Sequence, residues 1–284
     1  MIRLLIGIVF FSKKPSISET LNSLLKIDFE SFGISPYLYI RDNSLNGFDF
    51  RLVQKKFKGK VLVEHNGENR PLSSVYNDLI SLPVKRELVL FLDDDSIIDE
   101  EYVKKMLIFN NSMFEIAVPT IMHNDNMISP GKIFVVKGVA LNRNKLALSK
   151  GNFGLVAMMS GTVVKSTIFD FENINFDENL TFYGVDTRFF LACQKIKKSI
   201  YVLDYYLIHD SALRSKNFKI DEMLIRLSNL MKAQFYIFEH KTFFKVLLFL
   251  YFPFFIFRKI IKFKDWSFIE LFKNYKFFLR LDDE

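Results

Sequence analysis

The chain has 284 residues, 50% hydrophobic and 25% charged, with one cysteine and a formal net charge of +7. That length and apolar content supply a core and exclude a disordered chain. The lone Cys193 excludes an intrachain disulfide and fits a reducing compartment.

The charge excess is local. Residues 241–280 hold nine Lys/Arg against Asp265 and Glu270, so this stretch carries the net charge of the whole chain and the remainder is balanced. A uniformly basic protein would point to nucleic acid, which is not expected as a partner here. A basic, Phe-rich tail points to an anionic surface.

In chain order, Leu4–Phe11 is apolar but too short to span a membrane, and Lys13-Lys14-Pro15 follows without a small-residue cleavage site. It reads as a first strand, not a signal peptide. Ser18 is placed to cap a helix through Leu25. Tyr37–Ile40 is a second strand, ending in Arg41-Asp42-Asn43-Ser44. Phe50–Phe57 reads as a short helix, Lys60–Glu64 as a third strand, His65–Pro71 as a polar loop and Ser73–Leu82 as a helix. Leu88–Leu92 is a short aliphatic and aromatic run, as expected of a strand buried on both faces, and it stops on Asp93-Asp94-Asp95-Ser96. Strand alternating with helix at this spacing predicts a parallel sheet with crossover helices, an α/β fold.

Further on, Tyr102–Asn110 is a helix, and Ile116–Ile121 and Ile133–Gly138 are strands of a less regular region. The small residues in Met158-Met159-Ser160-Gly161-Thr162 either permit close approach of a substrate or form an ordinary turn. Val185-Asp186-Thr187-Arg188 opens an amphipathic helix through Lys197, with Asp186 either its N-cap or a general base facing a cleft. Tyr201–Ile208 is a strand closed by His209, which is either structural or a neutral imidazole ligand for a metal.

The acidic triplet is the centre of this pattern. Three adjacent carboxylates repel unless a cation or hydrogen-bond donors share the site. At the carboxyl end of a sheet strand they are placed to hold a hard divalent ion and, through it, phosphate oxygens. The plainer alternative is a solvated turn in which Asp95 or Ser96 caps the helix starting near Asp99. Two separate strands ending in Asp suit a nucleotide-binding edge, and no Gly-rich phosphate loop is present to do that work instead.

The ordered set Asp-Asn-Ser after strand two, Asn66-Gly67-Glu68-Asn69 before a helix holding Tyr76-Asn77, Leu-Asp-Asp-Asp, Met-Ser-Gly, Val-Asp-Thr before a helix and a late strand ending in His resembles the inverting family-two glycosyltransferases. Within them it looks most like rhamnosyltransferase-type enzymes of bacterial surface-polysaccharide assembly. The resemblance covers roughly residues 1–240. It implies a GT-A-type, Rossmann-like, mostly parallel sheet flanked by helices, and a nucleotide-sugar donor (dTDP- or UDP-linked). It also implies Mg²⁺ or Mn²⁺, and a hydroxyl of a lipid-linked saccharide as acceptor. By the same resemblance Asp186 is the catalytic base, and Asp42, Asn43, Asp93, Asp94, Ser160 and Gly161 belong to the donor site. Asp95 and His209 are the metal ligands. The first strand departs from the usual Tyr-Asn ending, with Phe10-Phe11-Ser12 there instead.

The domain boundary is expected at 217/218, with a catalytic domain over 1–217 and a helical extension over 218–284. In the extension, Val246–Phe257 is apolar with Pro253 in its middle, bracketed by Lys245 and Arg258-Lys259. At ~1.5 Å per residue such a helix falls short of a ~30 Å hydrocarbon core. It is expected to lie in the interface of an anionic membrane, on the cytoplasmic side; the alternative is packing on the catalytic domain or on a partner subunit. A homo-oligomer is compatible with the sequence. Two other functions compete with glycosyl transfer: a non-catalytic nucleotide- or glycan-binding protein of this fold, and a nucleotidyltransferase, although the latter usually has a Gly-rich loop after strand one.

Overall fold

The computed structural model describes residues 1–208, 219–238 and 242–275. Its strands are β1 Ile2–Phe10, β2 Ile34–Asp42, β3 Lys60–His65, β4 Leu88–Asp93, β5 Ile116–His123, β6 Asn126–Ser129, β7 Gly131–Phe134, β8 Lys137–Ala140, β9 Gly151–Asn152, β10 Thr162–Lys165 and β11 Ile200–Ile208. Its helices are α1 Glu19–Leu24, α2 Arg51–Lys56, α3 Leu72–Ser81, α4 Glu100–Asn110, α5 Thr167–Asp170, α6 Val185–Lys195, α7 Ile220–Phe238 and α8 Thr242–Phe263, followed by a 3₁₀ segment, Trp266–Asn274.

The chain forms two compact units: Met1–Lys132 with Ala140–His209, and Ile133–Val139 with Asp210–Glu284. In the first, β3-β2-β1-β4-β10-β5-β11-β9 form one sheet, with β6 beside β5. The pairings make β3, β2, β1, β4, β5 and β11 run the same way. β10 runs against its neighbours β4 and β5, so the sheet is mostly parallel but not wholly so. β4 lies near the middle with Leu88–Leu92 essentially inaccessible, as its unbroken apolar run requires. Gly7 on β1 allows α3 to seat against the sheet, because a Cβ there would fall 2.2 Å from Leu79 Cδ2.

Pro119 sits inside β5, where a proline would deny a ladder hydrogen bond. The register with β11 breaks at that point: Val118 pairs with Val202 and Thr120 with Tyr206, leaving Leu203–Tyr205 as the irregular stretch. A bulge therefore accommodates the proline.

Cys193 lies fully buried on α6, and burial pushes its thiol up to about 12. The folded protein is expected to resist dithiobis(nitrobenzoate) at about pH 8 and to label fully in denaturant. Stoichiometric labelling of the native protein would show that α6 opens readily.

The second unit has its own core. α7 contributes Met223, Leu227, Met231 and Phe235, α8 contributes Leu248, Phe252, Ile256 and Ile260, and Phe268, Leu271 and Val136 complete the cluster. The hairpin residues 133–139 thus belong with this helical unit, outside the span expected for it from sequence. Pro253 sits within α8 and has no N–H for the carbonyl of Phe249. The Tyr275 hydroxyl supplies that donor at 2.8 Å.

Candidate active site

Register places the candidate residues along one edge. Phe10 pairs with Asp42, Val9 with Asp93, and Asp42 with His65, so the carboxyl ends of β4, β1, β2 and β3 form a single row. Asp93 and Asp42 stand two strands apart, about 10 Å at the usual ~4.8 Å spacing. This is the edge where open α/β sheets bind ligands.

The triplet is a turn fixed from several sides. Asp93 N–H donates to Ser96 Oγ at 3.2 Å. Thr20 Oγ1 donates to the Asp93 carbonyl at 2.5 Å and accepts from Ser96 N–H at 2.7 Å. Ser18 caps α1 as expected, accepting from Leu21 N–H at 3.2 Å, and the same hydroxyl donates to the Asp94 carbonyl at 2.8 Å. Lys13 Nζ reaches Asp94 Oδ1 at 3.1 Å and the Asp94 carbonyl at 3.2 Å. The middle carboxylate therefore has a cation of its own, which relieves part of the repulsion within the triplet. The capping role considered for Asp95 or Ser96 falls to Asp99, whose Oδ1 accepts from Tyr102 N–H at 2.9 Å at the start of α4.

Residues 158–161 join this turn to α6. Ser160, buried, shares a 2.5 Å hydrogen bond with Ser96 Oγ. Met159 N–H donates to Asp186 Oδ2 at 3.1 Å, and Met158 N–H donates to Ser129 Oγ at 3.0 Å. Asp186 is not the N-cap; Gly184 is, in the left-handed region at φ 83, and Asp186 lies in the first turn. Tyr76 of α3 is buried near both acids: burial, then the charges of Asp93 and Asp186, hold its phenol well above the usual range. Asp93 and Asp186 thus share one neighbourhood although 93 residues of sequence separate them.

α3 also fixes the approach to α6. Ser73 Oγ donates to the Leu180 carbonyl and Leu72 N–H donates to the Thr181 carbonyl, each at 2.6 Å. Asn77 exchanges hydrogen bonds with the backbone of Phe176 at 2.9 Å in both directions. Asp177 in this segment pairs with Arg188 of α6 at 3.1 Å.

Gly161 has φ +72, and a Cβ there would meet Pro119 Cγ at 2.8 Å and Leu207 Cδ1 at 3.3 Å. What closely approaches this glycine is β5 and β11. Its N–H donates to the Phe91 carbonyl and its carbonyl accepts from Tyr102 Oη.

At the β2 end, Asp42 is fully buried. Its oxygens accept from Ser44 N–H at 2.9 Å and Phe48 N–H at 2.7 Å, organising the loop 43–48. Asn43 is also buried, accepting from Arg41 Nε at 3.0 Å and donating to the Arg70 carbonyl at 2.9 Å. Arg41 continues to Asn66 and the Glu68 carbonyl, tying β2 to the Asn-rich loop after β3. Sequence alone assigns no site role to Lys13, Thr20, Arg41 or Tyr76, although Arg41 and Tyr76 lie within the segments that carry the motifs. Lys13 and Thr20 lie in polar segments that announce nothing until the fold brings them to the triplet.

His209 lies outside the described residues. Among the described residues, no group of three or more His, Cys, Asp or Glu is arranged to hold a metal. The donor set at the triplet is all oxygen, which suits Mg²⁺ or Mn²⁺, ions held by one or two carboxylates plus substrate phosphates rather than by a closed protein cage.

No family model and no curated protein matches this sequence. Solved structures do. The chain is similar to S. aureus TarS 1–349, with a TM-score of 0.52 and 15% identity over 85% of this chain and 74% of that one. The same protein in complex with UDP-GlcNAc gives 0.50 and 17%, over 82% and 66%. GalNAc-T7 with UDP, GalNAc and Mn²⁺ gives 0.58 and 13%, over 82% and 47%. The chain spans only 44% of the longer TarS structure. With its central, mostly parallel sheet flanked by helices, the chain has the fold of the GT-A glycosyltransferases.

Proposed function

We propose that the chain is an inverting glycosyltransferase that moves a sugar from a UDP- or dTDP-linked donor to an acceptor hydroxyl. One observation carries this: residues 158–161 bind the acidic turn on one side, through Ser160 and Ser96, and Asp186 on the other, through Met159 N–H. A candidate base is thereby held beside a candidate donor site at the carboxyl edge of a GT-A sheet. Neighbours of this fold were crystallised with UDP-GlcNAc, and with UDP, GalNAc and Mn²⁺, which supports a nucleotide-sugar donor.

In this reading Asp42 and Asn43 shape the nucleoside end of the donor site, Asp93 faces the ribose or sugar, and Asp94 is the middle residue of the same donor-site turn. Ser160 and Gly161 set the turn beneath them. Asp95, with His209, would hold Mg²⁺ or Mn²⁺, which when bound offsets charge on the leaving nucleoside diphosphate. Asp186 accepts the proton of the acceptor hydroxyl as that oxygen bonds to the anomeric carbon, on the face opposite the breaking bond to phosphate. One such displacement inverts the anomeric configuration. By the sequence resemblance, the sugar is a hexosyl or rhamnosyl unit. The acceptor is a lipid-linked saccharide of cell-surface polysaccharide, reached at the cytoplasmic face of the membrane through residues 241–280.

The test is calorimetric titration of UDP, dTDP and GDP, with and without Mn²⁺. One nucleotide should bind in a metal-dependent way, and Asp95→Ala should weaken that binding by about 10–100-fold, the scale on which metal sites respond to lost support. Absence of binding by a folded sample would overturn the reading. An unchanged affinity in Asp95→Ala would remove Asp95 as a ligand.

A further inference from the structure

The second unit leaves one side of its longest helix in solvent. On α8, Phe243, Val246, Leu250, Phe254, Phe257 and Ile261 are each between 48% and 75% exposed. Their spacing of three or four residues makes a single stripe, running about 27 Å at ~1.5 Å per residue. The buried stripe, Leu248, Phe252, Ile256 and Ile260, faces the core of the unit. The apolar run in the sequence is therefore two surfaces, one satisfied by folding and one not. Trp266, just beyond the helix, is 70% exposed.

The charges beside the stripe are of one sign. α8 contains Lys245, Arg258, Lys259 and Lys262 and no Asp or Glu. Arg258 and Lys262 are exposed and leave the helix roughly a quarter to a third of a turn from the stripe, at ~3.6 residues per turn. Lys259 lies over the rings of Phe255 and Phe263 at 5.2 and 5.6 Å. The nearest acids along the chain are engaged: Asp265 accepts from Ser267 N–H, and Glu270 pairs with Lys273. No helix among the described residues is long and apolar enough to cross a membrane.

We propose that α8 lies flat in the headgroup region of an anionic bilayer, with this stripe and Trp266 entering the acyl boundary and Arg258 and Lys262 on lipid phosphates. Apolar aromatic surface flanked by cations is what an interfacial helix requires. Charge complementarity selects the lipid over a second copy of the chain, because stripe-to-stripe pairing would set this cation-only helix against itself. The proposal gives side chains to the membrane contact of the preceding reading. It rests on none of the transfer chemistry, so the two fail separately.

Trp266 is the only tryptophan, so tryptophan emission, excited selectively over the tyrosines, reports on this surface alone. The full chain would be mixed with vesicles of phosphatidylcholine, alone or with phosphatidylglycerol. The expected result is co-sedimentation and a blue shift of Trp266 emission with the anionic vesicles only. The neutral double variant Leu250→Gln/Phe254→Gln alters exposed positions and should keep the melting temperature while lowering partitioning at least about tenfold, from lost apolar burial. Three results would overturn the proposal: no sedimentation with anionic vesicles, equal binding by the double variant, or lipid-free self-association with Trp266 emission already blue-shifted.

Discussion

Asp186→Asn is expected to lower the rate of glycosyl transfer by about 10³-fold while changing nucleotide affinity by less than about threefold, since loss of a positioned general base typically removes 10²–10⁴. The substitution is nearly isosteric. Its side-chain oxygen can still accept from Met159 N–H, which Asp186 Oδ2 now does at 3.1 Å. The link between α6 and residues 158–161 therefore survives, and only the capacity to take a proton is lost. A 10³-fold loss corresponds to about 4 kcal/mol of transition-state stabilisation. The measurement is a single-turnover rate with a saturating donor, set beside calorimetric affinity for the nucleotide. A rate within tenfold of the parent would show that Asp186 is not the base. An equal loss of nucleotide binding would make it a donor-site residue instead.

The strands that end at the candidate site were more legible in the sequence than the wiring between them. Leu88–Leu92 ended on the acids because a strand buried on both faces must be apolar until it leaves the sheet, so β4 and its terminus were legible from the apolar run and the point where it stops. β1, β2 and β3 were legible for the same reason, and their register then put Asp42 and Asp93 on one edge. The antiparallel insertion of β10 between β4 and β5 was not legible, because four residues such as Thr162–Lys165 pair equally well in either direction and the choice is made by the turn before them. Nor could periodicity show that the hydroxyls of Ser96 and Ser160, 64 positions apart, would meet. The apolar run in the tail was visible at once. Its division into a buried and an exposed stripe depended on where α7 and the Trp266–Asn274 segment packed.

Gly161→Ala is expected to destabilise the protein by about 3 kcal/mol, from ~1–2 for an alanine in the left-handed region and a similar cost for overpacking. The glycine has φ +72, and the added Cβ would sit 2.8 Å from Pro119 Cγ. Relief is difficult on either side. Pro119 is a rigid ring inside β5, bracketed by the bulge in β11, and Gly161 is held by its hydrogen bonds to the Phe91 carbonyl and Tyr102 Oη. Any shift of the glycine pulls on the residues before it, which carry the bonds to Ser96 and Asp186. Stability and activity should therefore fall together. Thermal melting would register the first as a drop of roughly 6–12 °C, at ~2–4 °C per kcal/mol for a chain of this size. Activity measured well below the new midpoint would register the second. A parent-like melting temperature would mean that the turn relaxes at little cost. A full loss of stability with parent-like activity in the folded fraction would mean that residues 158–161 hold the sheet together without setting the position of Asp186.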